Sequence, residues 1–138
     1  MRVLAALIAL LTAPFALAAD LPTEALRPIT DAASALASED SSAFLEQFDR
    51  DMPGYAALRA NVEALTGASQ PVSTIESVTN DGDAQQQTVE LDWLLAINDK
   101  DHSGSRKETR RSIVKCRLEL RGKRWKIVAL EPVDFFRP

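Results

Sequence analysis

Two hydrophobic rhythms divide the chain: up to about Gly67 apolar positions recur at spacings of three and four, and beyond Pro71 they recur at two. Leu26, Ile29, Ala33, Leu36 and Ala37 fall on one stripe of a helix running from about Thr23 to Ser38. Ser41-Ser42 offers an N-cap for a shorter helix carrying Phe44, Leu45 and Phe48, with Glu46 and Arg50 at i, i+4. Met52-Pro53-Gly54 breaks the chain, and a third helix then presents Tyr55, Leu58, Val62 and Leu65 on one side, with Gly67 as its expected C-cap. All three stripes predict core.

Strand patterning begins with Val72, Thr74 and the segment Ile75 to Val78, and Asn80-Asp81-Gly82-Asp83 predicts a closing turn. From Thr88 to Ile97 the odd positions Val89, Leu91, Trp93, Leu95 and Ile97 are apolar, while Thr88, Glu90 and Asp92 point the other way. From Arg110 to Leu120 the parity reverses: Val114, Cys116, Leu118 and Leu120 share a face, opposed by Arg111, Lys115, Arg117 and Glu119. Arg121-Gly122 predicts a two-residue turn into a last strand, Lys123 to Val133. That turn sets Leu118 opposite Trp125, Cys116 opposite Ile127 and Val114 opposite Ala129, all apolar pairs, and a one-residue slip would set Leu118 and Cys116 against polar neighbours. The prediction is an α+β domain, three N-terminal helices packed on a curved antiparallel sheet of about four strands.

The length of 138 residues fits one domain, 46% apolar content excludes a disordered chain, and one Cys cannot build a disulfide scaffold. Residues 1–18 stand apart. Arg2 precedes an apolar run from Val3 to Ala13, then come Pro14 and an A-x-A signal at Ala16-Leu17-Ala18, which predicts a signal peptide over 1–18 and one mature domain over 19–138. The run falls short of the roughly 20 residues that span a bilayer. With Cys116 the only cysteine, no lipid anchor is expected either, so the mature protein is expected to be exported, periplasmic or secreted, without a membrane anchor. The net charge of −4 conceals an asymmetry: residues 19–99 carry three basic against 15 acidic side chains, and residues 100–138 carry 12 basic against five acidic. A basic half can attract nucleic acid or acidic lipid. In an acidic exported chain the two halves are expected to pack together and neutralise each other, with no nucleic-acid partner.

The order helix, helix, helix, then a meander of strands ending in Arg124-Trp125-Lys126-Ile127-Val128 and Asp134-Phe135-Phe136, resembles the nuclear-transport-factor-2-like superfamily. This is the cone-shaped α+β barrel shared with ketosteroid isomerases, scytalone dehydratases and SnoaL-like proteins, and the resemblance covers about Thr23 to Phe136. It implies a pocket between the curved sheet and the first helices, used by some members for enzymatic work and by others for ligand binding. Fold alone does not choose among these uses.

Strand parity locates the expected pocket. Continuing the register places Ser112 opposite Glu131 and Arg110 opposite Val133, and pairing Ile97 with Arg106 across the Asn98–Ser105 loop sets Trp93 near Arg110 and Leu91 near Ser112. Trp93, Arg110, Ser112 and Glu131 then cluster at one end of the core face, with Tyr55 from the third helix. Arg110 would be an anion partner and Trp93 an apolar wall, in a recess of the kind that takes a small molecule. The competing arrangement is an inward Arg110–Glu131 ion pair that closes the open end of the cone.

Proton-transfer chemistry of the ketosteroid isomerase type needs a carboxylate base and a Tyr or protonated acid as oxyanion donor. Only Glu131 and Tyr55 offer themselves, and neither matches that family's motif. Scytalone-dehydratase-like chemistry would want inward His, whereas His102 lies in a polar turn. One His and one Cys exclude a His/Cys zinc cluster, and no Gly-rich phosphate loop occurs, so neither metal nor cofactor is expected. Cys116, in the alternating apolar set, is expected to be a buried, inert thiol. The leading expectation is a noncatalytic domain that binds a small molecule in the cone pocket or acts as a dimeric interaction module. The alternative is an isomerase or hydrolyase with Glu131 as general base. A homodimer is expected to use the outer sheet face, where Leu94, Ala96, Ile113, Val128 and Leu130 project among Glu90, Asp92, Arg111, Lys115 and Arg117. Partial cover of that face by the Asp134–Pro138 tail is the other reading.

Overall fold

Periodicity becomes three helices and four strands in a computed structural model that describes residues 23–101 and 103–138; the expected signal peptide and His102 lie outside the described residues. A 3-10 turn (Thr23–Leu26) leads into α1 (Arg27–Ala37), α2 (Ser41–Leu45) and α3 (Tyr55–Ala68). The strands are β1 (Gln70–Gly82), β2 (Gln86–Asn98), β3 (Arg106–Arg121) and β4 (Arg124–Glu131), followed by a 3-10 turn (Val133–Phe136). The sheet is antiparallel in the order β1-β2-β3-β4, so the chain is α+β as expected. No helix among the described residues is long and apolar enough to cross a membrane.

Local chemistry moves three helix boundaries. The N-cap of α2 is Asp40, whose Oδ1 accepts the Ala43 N–H at 3.0 Å, in place of Ser41-Ser42. The helix stops at Leu45, so Glu46 and Arg50 do not share a helical face. The chain instead docks on β4: Asp49 N–H donates to the Ile127 carbonyl at 2.8 Å and Ile127 N–H to the Gln47 carbonyl at 2.9 Å, a parallel bridge centred on Phe48. Helix α3 runs through Gly67, and Ser69 ends it, with its N–H and hydroxyl both donating to the Leu65 carbonyl.

The inward parity of β2 holds along its length, with Val89, Leu91, Trp93, Leu95 and Ile97 all buried. Its register against β3 lies two residues from the expected one: Trp93 opposes Ser112, Leu95 opposes Arg110 and Ile97 opposes Glu108. A two-residue slip keeps every side chain on its face. The β3–β4 turn is Gly122-Lys123, not Arg121-Gly122, with Arg121 opposite Arg124 and Leu120 opposite Trp125; Gly122 takes the left-handed φ of 66°.

A bulge at Val128 then changes which side faces in. Leu118 opposes Ile127, but Arg117 opposes Ala129, Cys116 opposes Leu130 and Lys115 opposes Glu131. Leu130, expected outside, therefore joins the core, and Val128 is buried as well. Glu131, expected inside opposite Ser112, is exposed on the outer side. Pro132 has no N–H to continue the strand, and the following turn folds Phe135 and Phe136 inward. The Phe136 ring meets Phe44 at 5.5 Å, Trp93 at 5.2 Å and Phe135 at 5.2 Å between centroids. These edge-on contacts join the helical layer to the sheet.

Candidate functional site

The five residues expected to share a pocket do not converge. Trp93 is buried, its indole N–H donates to Ser73 Oγ at 2.9 Å, and Phe135 and Phe136 cover its ring. The space it was expected to wall is filled by aromatic rings. Arg110 is also buried, but its partner is not Glu131. Its Nη1 donates to the carbonyls of Phe135 (3.0 Å) and Arg137 (2.6 Å), and its Nε and Nη2 reach the Glu108 carboxylate at 2.5 and 3.3 Å. The Arg110 hydrogen bond holds the Glu108 carboxyl below its ordinary range.

Ser112 lies opposite Trp93, half-buried, and its hydroxyl donates to the Ile113 carbonyl at 3.3 Å. Trp93, Arg110 and Ser112 are thus neighbours on β2 and β3, while Glu131 and Tyr55 lie elsewhere. On the outer side of β4, Glu131 cannot act as a base inside the cone; the Val128 bulge removes it from there. Cys116 is buried opposite Leu130, where the register expected Ile127, and desolvation pushes its thiol up to about 12, out of reach of thiolate chemistry.

A recess with room for a ligand lies on a different side. An open cleft of about 710 Å³ separates the 42–50 segment and α3 from the β3–β4 hairpin. Leu45 and Phe48, both buried, form its apolar part, and Tyr55 stands half-buried at the start of α3. Arg50, Arg59, Arg121, Arg124 and Lys126 line it together with Glu46, Asp49 and Glu63.

Three of these cations are engaged: Arg121 Nη2 lies 2.8 Å from Asp49 Oδ2, Arg59 Nε lies 3.4 Å from Glu63 Oε2, and Lys126 Nζ donates to the Glu46 carbonyl at 2.5 Å. The Asp51 N–H, and after it the Arg121 guanidinium, hold the Asp49 carboxyl below its ordinary range. A smaller recess of about 270 Å³ flanks the hairpin on its other side, lined by residues that include Arg27, Lys123 and Arg124. Of the residues expected to form a site, Tyr55 alone lines the larger cleft. The available signal was the basic run Arg121-Gly122-Lys123-Arg124, which the sequence pattern divides between a turn at Arg121-Gly122 and the start of the last strand.

Three helices on a four-stranded antiparallel sheet form a fold that solved structures share, among them one described as nuclear-transport-factor-2-like. A nuclear-transport-factor-2-like protein of unknown function from Shewanella oneidensis matches with a TM-score of 0.64 at 14% identity, over 80% of this chain and 97% of that one. A Xanthomonas campestris protein named as a calcium/calmodulin-dependent protein kinase II association domain matches with a TM-score of 0.64 at 16% identity, over 81% and 86%. A Mycobacterium tuberculosis protein of unknown function matches with a TM-score of 0.62 at 13% identity; the match covers 75% of this chain but only 65% of that one, less than two thirds of its length. At such identities the likeness concerns the fold. No protein-family profile matches the chain, and no curated protein matches it in sequence.

Proposed function

We propose that the protein is an exported, noncatalytic binding module that takes a small molecule in the cleft between α3 and the β3–β4 hairpin, not in the cone interior. The observation that carries this reading is the aromatic plug: Phe135 and Phe136 pack on Trp93 and Arg110 holds the plug's carbonyls, whereas the cleft is open. Its volume of about 710 Å³ lies within the range of small-molecule sites. Binding without turnover fits the chemistry there. Asp49 is bound by Arg121, and its carboxyl, held below its ordinary range, is a weak base at neutral pH.

Amide chemical-shift mapping with a neutral and charged fragment library tests the placement. Shifts should gather on Phe48, Tyr55 and Arg124; shifts centred on Phe44, Trp93 and Phe136 would return the site to the cone interior, and conversion of a bound fragment would make the protein an enzyme. Export rests on the Met1–Ala18 pattern, and an intact mass beginning at Ala19 is its expected signature.

A second reading, self-association through the outer sheet face, is favoured by Val72, Val78 and Ile113, which are 38, 56 and 49% exposed beside half-buried Leu94 and Ala96. Light scattering should then give a dimer that Ile113→Lys dissociates. A monomer at high concentration would count against it.

A further inference from the structure

We infer that the cleft is an anion site, built to hold a small organic acid or phosphate ester through the guanidinium groups of Arg50 and Arg124. This rests on the cleft reading above and adds the class of ligand.

The observation behind it is a gathering of like charge. Residues 19–99 hold three basic side chains among 15 acidic ones, and all three, Arg27, Arg50 and Arg59, line the two recesses that flank the β3–β4 hairpin. That hairpin is itself basic, carrying Arg121, Lys123, Arg124 and Lys126. Neutralisation between an acidic half and a basic half would bring acids to this place, yet the acidic half brings its cations as well. The larger cleft has five cationic against three acidic side chains in a protein of net charge −4. Unless an anion completes it, such a grouping costs repulsion.

The surplus can be assigned to atoms. Arg121 is bound by Asp49, Arg59 by Glu63, and Lys126 by the carbonyl of Glu46, whose own carboxylate stands in the same cleft. Among the described residues the guanidiniums of Arg50 and Arg124 have no hydrogen-bond or ion-pair partner. Both project from fixed backbone. Arg50 follows the Asp49 N–H bond to Ile127, and Arg124 pairs with Arg121 as the first residue of β4. A guanidinium fork matches the oxygens of a carboxylate or phosphate, and charge-assisted bonds of this kind are about twice as strong as neutral ones. Tyr55, half-buried at the start of α3, offers the ligand's body an apolar contact. A polyanion is disfavoured: Glu46, Asp49 and Glu63 share the cleft, and the molecule as a whole is acidic.

Titrating phenyl phosphate, benzoate and uncharged benzyl alcohol, with amide shifts as readout, tests the inference and separates phosphoryl from carboxylate recognition. One or both anions should move the amides of Arg50, Tyr55 and Arg124 saturably. The Arg50→Gln/Arg124→Gln double variant should weaken that binding about tenfold or more, and Arg111→Gln, on the outer sheet face, should leave it unchanged. Benzyl alcohol binding in the cleft as tightly as the anions, with the double variant unaffected, would overturn the anion class and leave the cleft reading standing. Anions that shift only residues outside the cleft, or no residue saturably, would overturn the inference; the fragment mapping above then decides the cleft reading separately.

Discussion

Arg110→Met asks what keeps the cone closed. Methionine preserves most of the aliphatic stem and removes every donor. Lost with them are the bond to the buried Phe135 carbonyl at 3.0 Å and the bond to the Arg137 carbonyl at 2.6 Å. A hydrogen bond from a charged group nets about 1.5–3 kcal/mol, so the pair is worth about 3 to 4 kcal/mol at the lower end of that range. Relief of the guanidinium's own desolvation offsets part of the loss and leaves about 2 kcal/mol. The Glu108 contact is left out of this sum, because that carboxylate is 44% exposed and solvent screens it. With a urea m-value of about 1–3 kcal/mol/M, the unfolding midpoint should fall by roughly 1 M at unchanged m. Circular dichroism gives the midpoint, and binding of an apolar dye reports whether the Phe135-Phe136 plug has loosened. Arg110→Lys should fall between, since one ammonium can replace part of the fork, while Glu108→Gln should leave the midpoint almost in place. Two results would refute the reasoning: a loss under about 0.5 kcal/mol for Arg110→Met, or an equal loss for Glu108→Gln, which would make the ion pair and not carbonyl capture the fastener.

Gly82→Ala should lower stability by more than about 2 kcal/mol, because at φ 150° the new Cβ would lie 2.1 Å from the Gln86 carbonyl oxygen and 2.8 Å from Gln87 Cα; thermal unfolding measures it, and a neutral outcome would mean that the hairpin shifts freely. The Cys116 thiol, pushed up to about 12 by burial, should resist a thiol reagent at neutral pH until the chain unfolds, and rapid labelling under native conditions would contradict its placement. Asp49 has a folded pKa below its ordinary value, so its stabilising contribution is complete above the ordinary carboxylate pKa and disappears as pH falls through the folded one. Asp49→Asn should therefore cost stability at neutral pH and approach the parent's stability as the pH falls through the folded pKa of Asp49; a gap that persists in acid would show that the charge is not its source.

Face assignment was legible in this sequence wherever it depended on parity alone. The row Val89 to Ile97 reads inward in any register that slips by an even number, which is why the core of β2 follows from pattern and its pairing with β3 does not. The turn is ambiguous for a related reason, since Gly122 can occupy either place of a two-residue loop. At Ile127-Val128-Ala129-Leu130 the pattern carries no parity, because four successive apolar residues satisfy both faces. The bulge falls in that silent stretch. The cleft was hidden by distance along the chain: the 42–50 segment, the start of α3 and the hairpin meet through the Phe48–Ile127 bridge, and no local rhythm announces a bridge between residues so far apart.

The consequence of that one bulge extends to function. Had β4 kept its parity and run on to Val133 as the sequence predicts, Glu131 would face the interior, and the plug would begin beyond the strand end. The domain would then present a carboxylate inside an open cone, which is the arrangement proton-transfer chemistry requires. Instead Val128 takes up one residue, Glu131 turns outward beside Lys115, and Pro132 stops the strand early enough for Phe135 and Phe136 to reach Trp93. Arg110, which the same reading would have offered to a ligand, is spent on the carbonyls of the turn that closes the cone. Removal of the carboxylate from the interior and closure of that interior therefore depend on the same short stretch of chain. It leaves the hairpin side, where among the described residues the guanidiniums of Arg50 and Arg124 have no hydrogen-bond or ion-pair partner, as the place at which we propose that a ligand binds.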